Sequence, residues 1–352
     1  MSRFFTSRLS HLEAYTPGEQ PRDMQYTKLN TNESPFPPPQ SVIDAAEAEA
    51  GKLNLYCDPA CTALCQAAAK LYGVDVHNVM PVNGSDEALY FAYLAFCDED
   101  HPMAYPDISY SFYPVFAGIS CIKGDPIALR EDFTIDPKAY WGIGENIVIA
   151  NPNAPTGIAL TLAEIETIVA SNPDNIVIID EAYVDFGAES CVSLTKKYDN
   201  LLVTQTFSKS RSMAGARLGF IIGHEDLIAD LNTIRFSTNP YNVNRMTQAA
   251  GVAAIEANDI FMANCRTIME NRDYTNRALQ DLGFTVLPSK ANFVFARHCA
   301  IGGGELYTKL KSMGVLVRHF SRPELDPWLR ITIGTRQQMD ILLEALQKII
   351  KE

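Results

Sequence analysis

The amino-acid sequence predicts an α/β protein with a mostly parallel central sheet covered by helices, followed by a smaller α+β domain. Short apolar runs alternate with helical stretches over the first two thirds of the chain, a pattern typical of crossover connections between parallel strands. At 352 residues the chain exceeds one ordinary core. We therefore predict an amino-terminal arm over residues 1–40, a large domain over 41–260 and a small domain over 261–352.

The elements of the arm and large domain follow from local composition. The proline run that ends at Pro39 cannot continue a helix, because proline fixes φ and lacks an amide donor. Apolar runs of four or five residues bounded by polar or turn residues indicate buried strands. The predicted elements are an extended segment at Thr31–Pro39, helices at Ser41–Ala50, Cys61–Tyr72, Ala88–Phe96 and Leu162–Ala170, and strands at Val79–Val82, Asn146–Ala150, Asn175–Ile179, Leu201–Gln205 and Leu218–Ile222.

The pattern changes after about residue 260, where a long helical stretch is followed by short apolar runs. This order favours a smaller α+β unit packed on the first domain. Its predicted elements are helices at Phe261–Leu282 and Gln337–Ile350 and strands at Phe284–Leu287, Asn292–Phe295 and Leu329–Ile333.

Composition restricts the possible partners and location. The net charge of −13 and pI near 5.0 argue against a nucleic-acid binder and against docking on anionic membranes. No apolar run approaches the roughly 20 residues of a membrane span, and the first eleven residues lack the hydrophobic region of a secretory signal. We therefore expect a cytoplasmic protein that acts on small molecules, with its eight cysteines reduced.

Three cysteines, Cys57, Cys61 and Cys65, recur every four residues. They could form a metal or redox cluster, but no histidine or CxxC spacing accompanies them. Structural packing is the favoured interpretation, because a free thiol behaves as a small hydrophobe.

Polar side chains follow several predicted strands at their carboxyl ends, where open α/β sheets form their sites. Lys209 comes just after the strand Leu201–Gln205, beside the hydroxyls of Thr206 and Ser208, and Arg217 follows eight residues later. A lysine there can form a Schiff base with an aldehyde cofactor, while hydroxyls and a guanidinium hold a phosphate. The alternative is an ordinary surface lysine.

A carboxylate, Asp180, ends the strand Asn175–Ile179, and Tyr183 lies three residues further on. A buried carboxylate is costly unless paired, and it can supply the counter-charge for a protonated pyridine nitrogen. The tyrosine hydroxyl could bond the phenolic oxygen of the same ring. The alternative is a helix-capping aspartate followed by a packed tyrosine.

Two further segments follow strands. Gly84, Ser85 and Asp86 open a helix, where backbone amides and a hydroxyl form an anion site. Asn153 lies in the proline-rich turn 151–157, from which an amide can reach a ring oxygen. An ordinary helix cap is the alternative for the first segment.

The order of these signals along the chain resembles the motif order of fold-type I pyridoxal-phosphate aminotransferases over nearly the full length. Closer features resemble the histidinol-phosphate aminotransferase family. The matching segments are Tyr15–Pro21, Leu29–Pro35, Asn83–Glu87, Asp180–Tyr183 and Leu329–Gly334.

This resemblance implies pyridoxal 5′-phosphate as the cofactor. Lys209 would bind its aldehyde and shuttle a proton, Asp180 would pair the ring nitrogen, Tyr183 the ring oxygen, and Tyr110 would stack on the ring. The residues implied around the phosphate are Gly84, Ser85, Asp86, Thr206, Ser208 and Arg217, with Tyr56 reaching the phosphate of a neighbouring subunit.

The resemblance also implies transamination of L-histidinol phosphate with 2-oxoglutarate, giving imidazole-acetol phosphate and L-glutamate in histidine biosynthesis. Arg330 would grip a carboxylate through a bidentate fork, and Arg318 would serve as a second substrate arginine. Tyr15 and Asn32 of the arm are further expected substrate contacts. A homodimer with shared sites is implied.

The chain departs from the family at Ala154, where an asparagine usually precedes Pro-Thr-Gly. Asn153 is the nearest amide, and we expect it to take over the ring-oxygen contact. An aromatic amino acid aminotransferase and a decarboxylase of threonine phosphate remain alternatives on the same fold. A non-catalytic binding protein is an alternative of another class.

Overall fold

The computed structural model describes residues 2–10, 12, 15 and 17–351. The helices are α1 (Gln40–Ala50), α2 (Thr62–Tyr72), α3 (Ser85–Phe96), α4 (Tyr113–Ser120), α5 (Leu162–Ala170), α6 (Glu225–Thr238), α7 (Arg245–Glu256), α8 (Asn258–Asp281), α9 (Gly303–Ser312) and α10 (Arg336–Lys351).

The strands are β1 (Thr27–Lys28), β2 (Val79–Val82), β3 (Met103–Pro106), β4 (Gly124–Ile127), β5 (Asn146–Ala150), β6 (Val177–Asp180), β7 (Leu201–Thr206), β8 (Gly219–Gly223), β9 (Phe284–Val286), β10 (Phe293–His298), β11 (Val315–Leu316), β12 (Arg318–His319) and β13 (Leu329–Thr332).

The central sheet has seven strands in the order β2-β8-β7-β6-β5-β3-β4. Only β8 runs antiparallel to its neighbours, so the predicted mostly parallel α/β sheet is confirmed. Ala150, Asp180 and Thr204 are successive partners across β5, β6 and β7. The carboxyl ends of three strands therefore meet at one edge of the sheet, which places the residues that follow them close together.

Both faces of this sheet are buried, which is why its strands read as continuous apolar runs rather than alternating ones. In β5, Ile147 and Ile149 pack into the core on one face, whereas Val148 and Ala150 pack into the core on the other. The helices α2, α5 and α7 contribute to the first core, and α3, α4 and α6 to the second.

A second sheet, in the order β12-β13-β10-β9, is antiparallel and carries its own core with α8, α9 and α10. The arm belongs to this part of the molecule. Its strand β1 pairs in parallel with β11, and Leu29 is buried in the same core. The backbone amide of Thr332 donates to the carbonyl of Leu29 at 2.9 Å. The arm thereby connects residues some 300 positions apart.

Most predicted elements are confirmed, with β5 and α5 matching residue for residue. The sequence-based description did not include the strands β1, β3, β4, β11 and β12 or the helices α4, α6, α7 and α9. The proposed boundary at residue 260 falls in the first turn of α8, and the three-part division stays a prediction. No helix in the described ranges is long and apolar enough to cross a membrane.

Two of the three cysteines in the series are part of the core. Cys61 and Cys65 are 2% and 8% exposed and pack among the apolar residues beneath the central sheet. Burial raises the pKa of Cys61 to about 12 and that of Cys65 to about 11, so both thiols stay protonated. The packing interpretation is confirmed for Cys61 and Cys65, whereas Cys57 is only partly buried and stays a prediction.

Candidate active site

A cleft enclosing about 740 Å³ opens at the carboxyl edge of the central sheet. Strand ends, the start of α3 and the arm all contribute to its walls. The lining residues are Thr31, Glu33, Ser85, Asp86, Tyr110, Ala150, Ala154, Asp180, Ala182, Tyr183, Thr206, Ser208, Lys209, Ala214 and Arg217. Nine of the sequence-predicted site residues therefore line one cleft.

Asp180 forms the floor of the cleft and is 3% exposed. Thr204 Oγ1 donates to its Oδ1 at 3.1 Å, and Tyr113 Oη donates to its Oδ2 at 3.2 Å. Burial raises the pKa of Asp180 to about 6, and the bonds from Thr204 and Tyr113 limit that rise. The carboxylate is thus held in a fixed orientation and is ready to accept a cationic partner.

Lys209 lies in the turn after β7, and its side chain reaches the arm. Its Nζ donates to the backbone carbonyl of Thr31 at 3.3 Å and lies 6.0 Å from the centroid of the Tyr183 ring. Glu33 lines the same cleft, and its carboxylate accepts bonds from Lys28 and Thr31. A single long bond to a neutral carbonyl leaves the lysine amine available for a ligand.

The start of α3 forms another part of the cleft wall. Gly84 caps the helix with φ +82°, and a Cβ there would lie 2.6 Å from Nη2 of Arg217. Only glycine therefore permits the close approach of this guanidinium to the helix start. The Ser85 hydroxyl makes no hydrogen bond among the described residues, and the first helical amides have no acceptor within the helix.

Arg217 is held by weak contacts only. Its Nη2 lies 3.2 Å from Asp86 Oδ2, and its Nη1 lies 3.4 Å from Ser208 Oγ. Thr206 Oγ1 in turn donates to Ser208 Oγ at 3.0 Å. Hydroxyls, free amides and a cation converge here in the manner of an anion site.

Tyr110 forms one wall of the cleft. Its hydroxyl donates to Asp86 Oδ1 at 2.7 Å, which fixes the ring beside the start of α3. Burial, together with the nearby Asp86 carboxylate, raises the pKa of Tyr110 well above its ordinary value, so this hydroxyl stays a donor. The ring is therefore fixed in position as a stacking surface.

Tyr183 links the cleft to the small sheet and to the arm. Asn32 Nδ2 donates to its hydroxyl at 3.0 Å, and its ring meets that of Phe293 edge-on at 5.1 Å. Asn32 is itself fixed, because its Oδ1 accepts a bond from Thr332 and its carbonyl accepts one from Asn292. The arm therefore orients Tyr183 directly.

Two arginines stand beside this tyrosine. Arg330 and Arg318 are register partners in β13 and β12, and the Arg330 guanidinium lies 5.4 Å from the centroid of the Phe293 ring. Arg330 donates to the carbonyl of Asn30 at 3.0 Å, while its Nε has no partner among the described residues. Burial, with the like charge of Arg318, lowers the pKa of Arg330.

The Arg318–Arg330 pair thus forms a cationic patch next to the cleft. Tyr15 is partly exposed, and its ring lies 4.4 Å from that of Phe112. These two arginines, Tyr15 and Asn32 surround the cleft without lining it.

Two expected cofactor contacts lie elsewhere. Asn153 is 1% exposed; its amide nitrogen donates to the Ile108 carbonyl at 2.9 Å, and its oxygen accepts from Ser109 at 2.7 Å. Ala154 faces the cleft instead. Asn153 itself does not line the cleft, because its amide bonds to Ile108 and Ser109. Its contact with the ring oxygen stays a prediction.

Tyr56 does not line this cleft; it is 79% exposed and stacks on Tyr241 with ring centroids 4.4 Å apart. This placement is compatible with a contact to another subunit.

Sequence reasoning did not include Tyr113, Thr204 and Glu33 among the site residues. A hydroxyl at the strand position beside Asp180 is the signal that could have identified Thr204, because parallel register pairs strand ends. Tyr113 contacts Asp180 from α4, and no local pattern encodes that contact.

Comparison with known proteins agrees with this geometry. The sequence matches the family described as aminotransferase class I and II over residues 25–346. A histidinol-phosphate aminotransferase of Brachyspira hyodysenteriae is 48% identical over 353 residues, covering 100% of both chains. This chain belongs to the histidinol-phosphate aminotransferase family.

Other members of the histidinol-phosphate aminotransferase family are similar. One from Acinetobacter baumannii is 48% identical over 352 residues, covering 99% of this chain and 98% of that one. Among solved structures, a histidinol-phosphate aminotransferase from Sinorhizobium meliloti in complex with pyridoxal-5′-phosphate superposes with a TM-score of 0.89. It is 23% identical and covers 100% of this chain and 98% of that one, which confirms the fold.

The cleft of this aminotransferase fits the cofactor of its family, pyridoxal phosphate. The start of α3 offers an anion site with Arg217 and with the Ser85 hydroxyl, which makes no hydrogen bond among the described residues. Because Gly84 has no side chain, the Arg217 guanidinium can approach this helix start closely. The floor offers a buried carboxylate at Asp180, and the turn after β7 offers the amine of Lys209. Phosphate, ring nitrogen and aldehyde each find complementary chemistry.

Proposed function

We propose that this protein transfers the amino group of L-histidinol phosphate to 2-oxoglutarate, with pyridoxal phosphate as cofactor, yielding imidazole-acetol phosphate and L-glutamate for histidine biosynthesis. One observation carries the proposal: the amine of Lys209, the buried carboxylate of Asp180 and the cation of Arg217 line one cleft. Full-length identity of 48% to a histidinol-phosphate aminotransferase supports the same substrate.

Different residues around the cleft would contact different parts of the cofactor. Arg217, Ser85 and the first amides of α3 would hold its phosphate, and Tyr110 would lie against its ring. Asp180 would pair with the ring nitrogen and Tyr183 with the ring oxygen. Pyridoxal phosphate supplies an aldehyde that takes up an amino group and a protonated ring that stabilises negative charge at the neighbouring carbon.

Lys209 is the residue suited to move the proton. Its Nζ would take the proton from the substrate Cα and return it on the cofactor side, because no other lysine among the described residues lines the cleft. In this structure the amine donates a hydrogen bond of 3.3 Å to the uncharged carbonyl of Thr31. Asp180 would remain ionised beside the cationic ring nitrogen, since an opposite charge lowers a carboxyl pKa.

The paired arginines explain how one pocket could serve two substrates. Arg330 retains an unbonded Nε next to Tyr183, and Arg318 lies beside it in register. A carboxylate of glutamate and the phosphate of histidinol phosphate both suit a guanidinium fork. The arm, which carries Tyr15 and Asn32, would close over whichever substrate is bound.

We also propose a homodimer with shared sites. The exposed Tyr56–Tyr241 stack lies next to the exposed apolar side chains of Leu53 and Leu55, a grouping that suits a protein interface. In such a dimer Tyr56 would contact the cofactor phosphate of the other subunit. Light scattering should give twice the chain mass of 38.9 kDa, and a monomer mass with full activity would contradict this arrangement.

A cytoplasmic location is part of the proposal. All eight cysteines are free thiols, and two of them, Cys121 and Cys299, are exposed. Persistent free thiols suit a reducing compartment.

The decisive experiment is a panel of amino donors offered to the purified protein with 2-oxoglutarate. Histidinol phosphate should give glutamate with the highest kcat/KM, ahead of phenylalanine, tyrosine and threonine phosphate. A preference for phenylalanine would favour an aromatic aminotransferase, and carbon dioxide release from threonine phosphate would favour a decarboxylase. Protein that binds no pyridoxal phosphate would favour a non-catalytic role.

A further inference from the structure

The turn that opens α3 is held by a carboxylate from the helix itself. Glu87 Oε2 accepts a hydrogen bond of 2.6 Å from the backbone amide of Asn83 and another of 2.6 Å from Asn242 Nδ2. Asn242 is 5% exposed, and the second bond is partly buried. One carboxylate oxygen thereby joins the turn before α3 to the segment between α6 and α7.

We propose that Glu87 is a positioning residue for the cofactor phosphate, and that this role extends the proposed function. Its bond to the Asn83 amide fixes the turn so that the first amides of α3 and the Ser85 hydroxyl stay directed at the anion. Glu87 does not line the cleft, and it acts through the turn.

The hydrogen bonds of the turn show what the carboxylate adds. The Gly84 amide donates to the Val82 carbonyl at 2.9 Å, and the Glu87 amide donates to the Gly84 carbonyl at 3.2 Å. The Asn83 amide has Glu87 as its partner, which leaves the amides of Ser85 and Asp86 for a ligand. Without the carboxylate, the Asn83 peptide could rotate and turn the amides away.

The segment that carries Asn242 is itself held by hydrogen bonds. The carbonyl of Val243, the residue after Asn242, accepts bonds from Cys57 Sγ at 3.1 Å and Gln248 Nε2 at 2.9 Å. Asn244 then caps α7 through a bond from the Thr247 amide. Glu87 therefore connects the turn to a rigid segment and not to a loose loop.

Two effects of Glu87 on the phosphate oppose each other. Its negative charge near the helix start repels an anion, whereas its hydrogen bonds fix the donors that attract one. The proposal requires that the second effect outweighs the first. Removal of the side chain must then weaken phosphate binding, and removal of the charge alone must not.

The test compares Glu87→Ala, Glu87→Gln and the control Glu99→Ala, whose side chain is exposed. Each protein is stripped of cofactor and titrated separately with pyridoxal phosphate and with pyridoxal, and fluorescence quenching gives each Kd. Glu87→Ala should raise the Kd for pyridoxal phosphate about tenfold, as expected for one lost bond to a charged group. Its Kd for pyridoxal, which lacks the phosphate, should change less than twofold.

Glu87→Gln should bind pyridoxal phosphate at least as tightly as the parent protein. Its amide oxygen can accept from Asn83, and its amide nitrogen can donate to Asn242 Oδ1, which has no partner among the described residues. Tighter binding by Glu87→Ala would show that charge dominates and would overturn the inference. Equal weakening for both ligands would overturn it too, because it would indicate a general structural role.

Failure of the parent protein to bind either ligand would instead refute the proposed function. If circular dichroism shows that Glu87→Ala is unfolded, Asn242→Ala takes its place. That variant removes one of the two hydrogen-bond partners of Glu87. It should raise the Kd for pyridoxal phosphate about threefold and leave the Kd for pyridoxal unchanged. An unchanged Kd for pyridoxal phosphate in Asn242→Ala would also count against the inference.

Discussion

The Tyr113 hydroxyl donates a hydrogen bond of 3.2 Å to Asp180 Oδ2, in a region where both side chains are buried. Thr204 holds the other carboxylate oxygen at 3.1 Å. Two neutral donors thus favour the ionised form of an acid whose pKa burial raises to about 6. The charge that faces the cofactor ring depends on these two hydroxyls.

Tyr113→Phe should move the acid limb of kcat/KM to higher pH. Loss of one donor raises the Asp180 pKa. Because the ionised acid is the active form, activity then begins to fall at a higher pH as the solution is made more acidic. The shift should be roughly half to one pH unit. Tyr93→Phe is a matched control, since the buried Tyr93 hydroxyl has no partner among the described residues; equal profiles for the two variants would argue against this role.

Lys209→Ala should abolish transamination, because it removes the amine that carries the Cα proton. Borohydride reduction followed by mass spectrometry should attach cofactor covalently to the parent protein and not to the variant. The exposed lysine at position 196 supplies the control, Lys196→Ala, which should behave like the parent. Turnover by Lys209→Ala at the parental rate would refute the assignment.

Arg318→Ala should affect the KM values for the two substrates unequally. We expect KM for histidinol phosphate to rise about 10- to 100-fold, the value of a charge-assisted hydrogen bond, with a smaller rise for glutamate, whose carboxylate Arg330 can still bind. Steady-state kinetics with each substrate varied in turn measure the difference. Arg277→Ala replaces an exposed side chain of α8 and should leave the KM values for both substrates unchanged. Equal effects on both substrates would indicate a shared role.

Glu181 should make stability depend on pH. It is buried on the side of the sheet away from Asp180, bonded by Ser190, Gln205 and the Cys191 amide. Burial raises its pKa from 4.5 to about 7. The folded state therefore holds more protons between those values, and the contribution of this group to the free energy of unfolding falls as pH rises through that window, by on the order of 3 kcal/mol.

Urea denaturation of the parent protein and Glu181→Gln at pH 5 and pH 7.5 measures this effect. The parent should lose stability relative to the variant as pH rises, because glutamine does not titrate. The same comparison with the exposed Glu189→Gln should show no such trend. A difference that stays constant with pH would mean that Glu181 is not protonated at low pH in the folded state.

The sequence predicted those parts of the molecule in which local chemistry and tertiary context agree. The strand Asn146–Ala150 was predictable because the apolar run Ile147–Ala150 ends at a turn rich in proline, and Lys209 and Asp180 were predictable because each follows such a strand. The strand Met103–Pro106 was not described, since it contains no β-branched residue. The contact from Tyr113 arises from packing of α4, which no spacing encodes.

Asn153 shows how tertiary contacts limit a prediction made from sequence position. Its sequence position suggested a ligand contact, yet its side chain satisfies the carbonyl of Ile108 and the hydroxyl of Ser109. Buried polar groups must find partners, and the partners here come from another segment of the chain. Which of two adjacent positions faces the cleft is therefore a tertiary property.

The pairing of β1 with β11, and of Leu29 with Thr332, has a consequence for biosynthesis of the protein. Thr31 and Glu33 line the cleft, but the strands that anchor them are synthesised nearly 300 residues after the arm. On the ribosome the arm stays unpaired until those later strands have emerged. A nascent or carboxyl-terminally truncated chain should therefore lack this wall of the cleft, even if its central sheet has already folded.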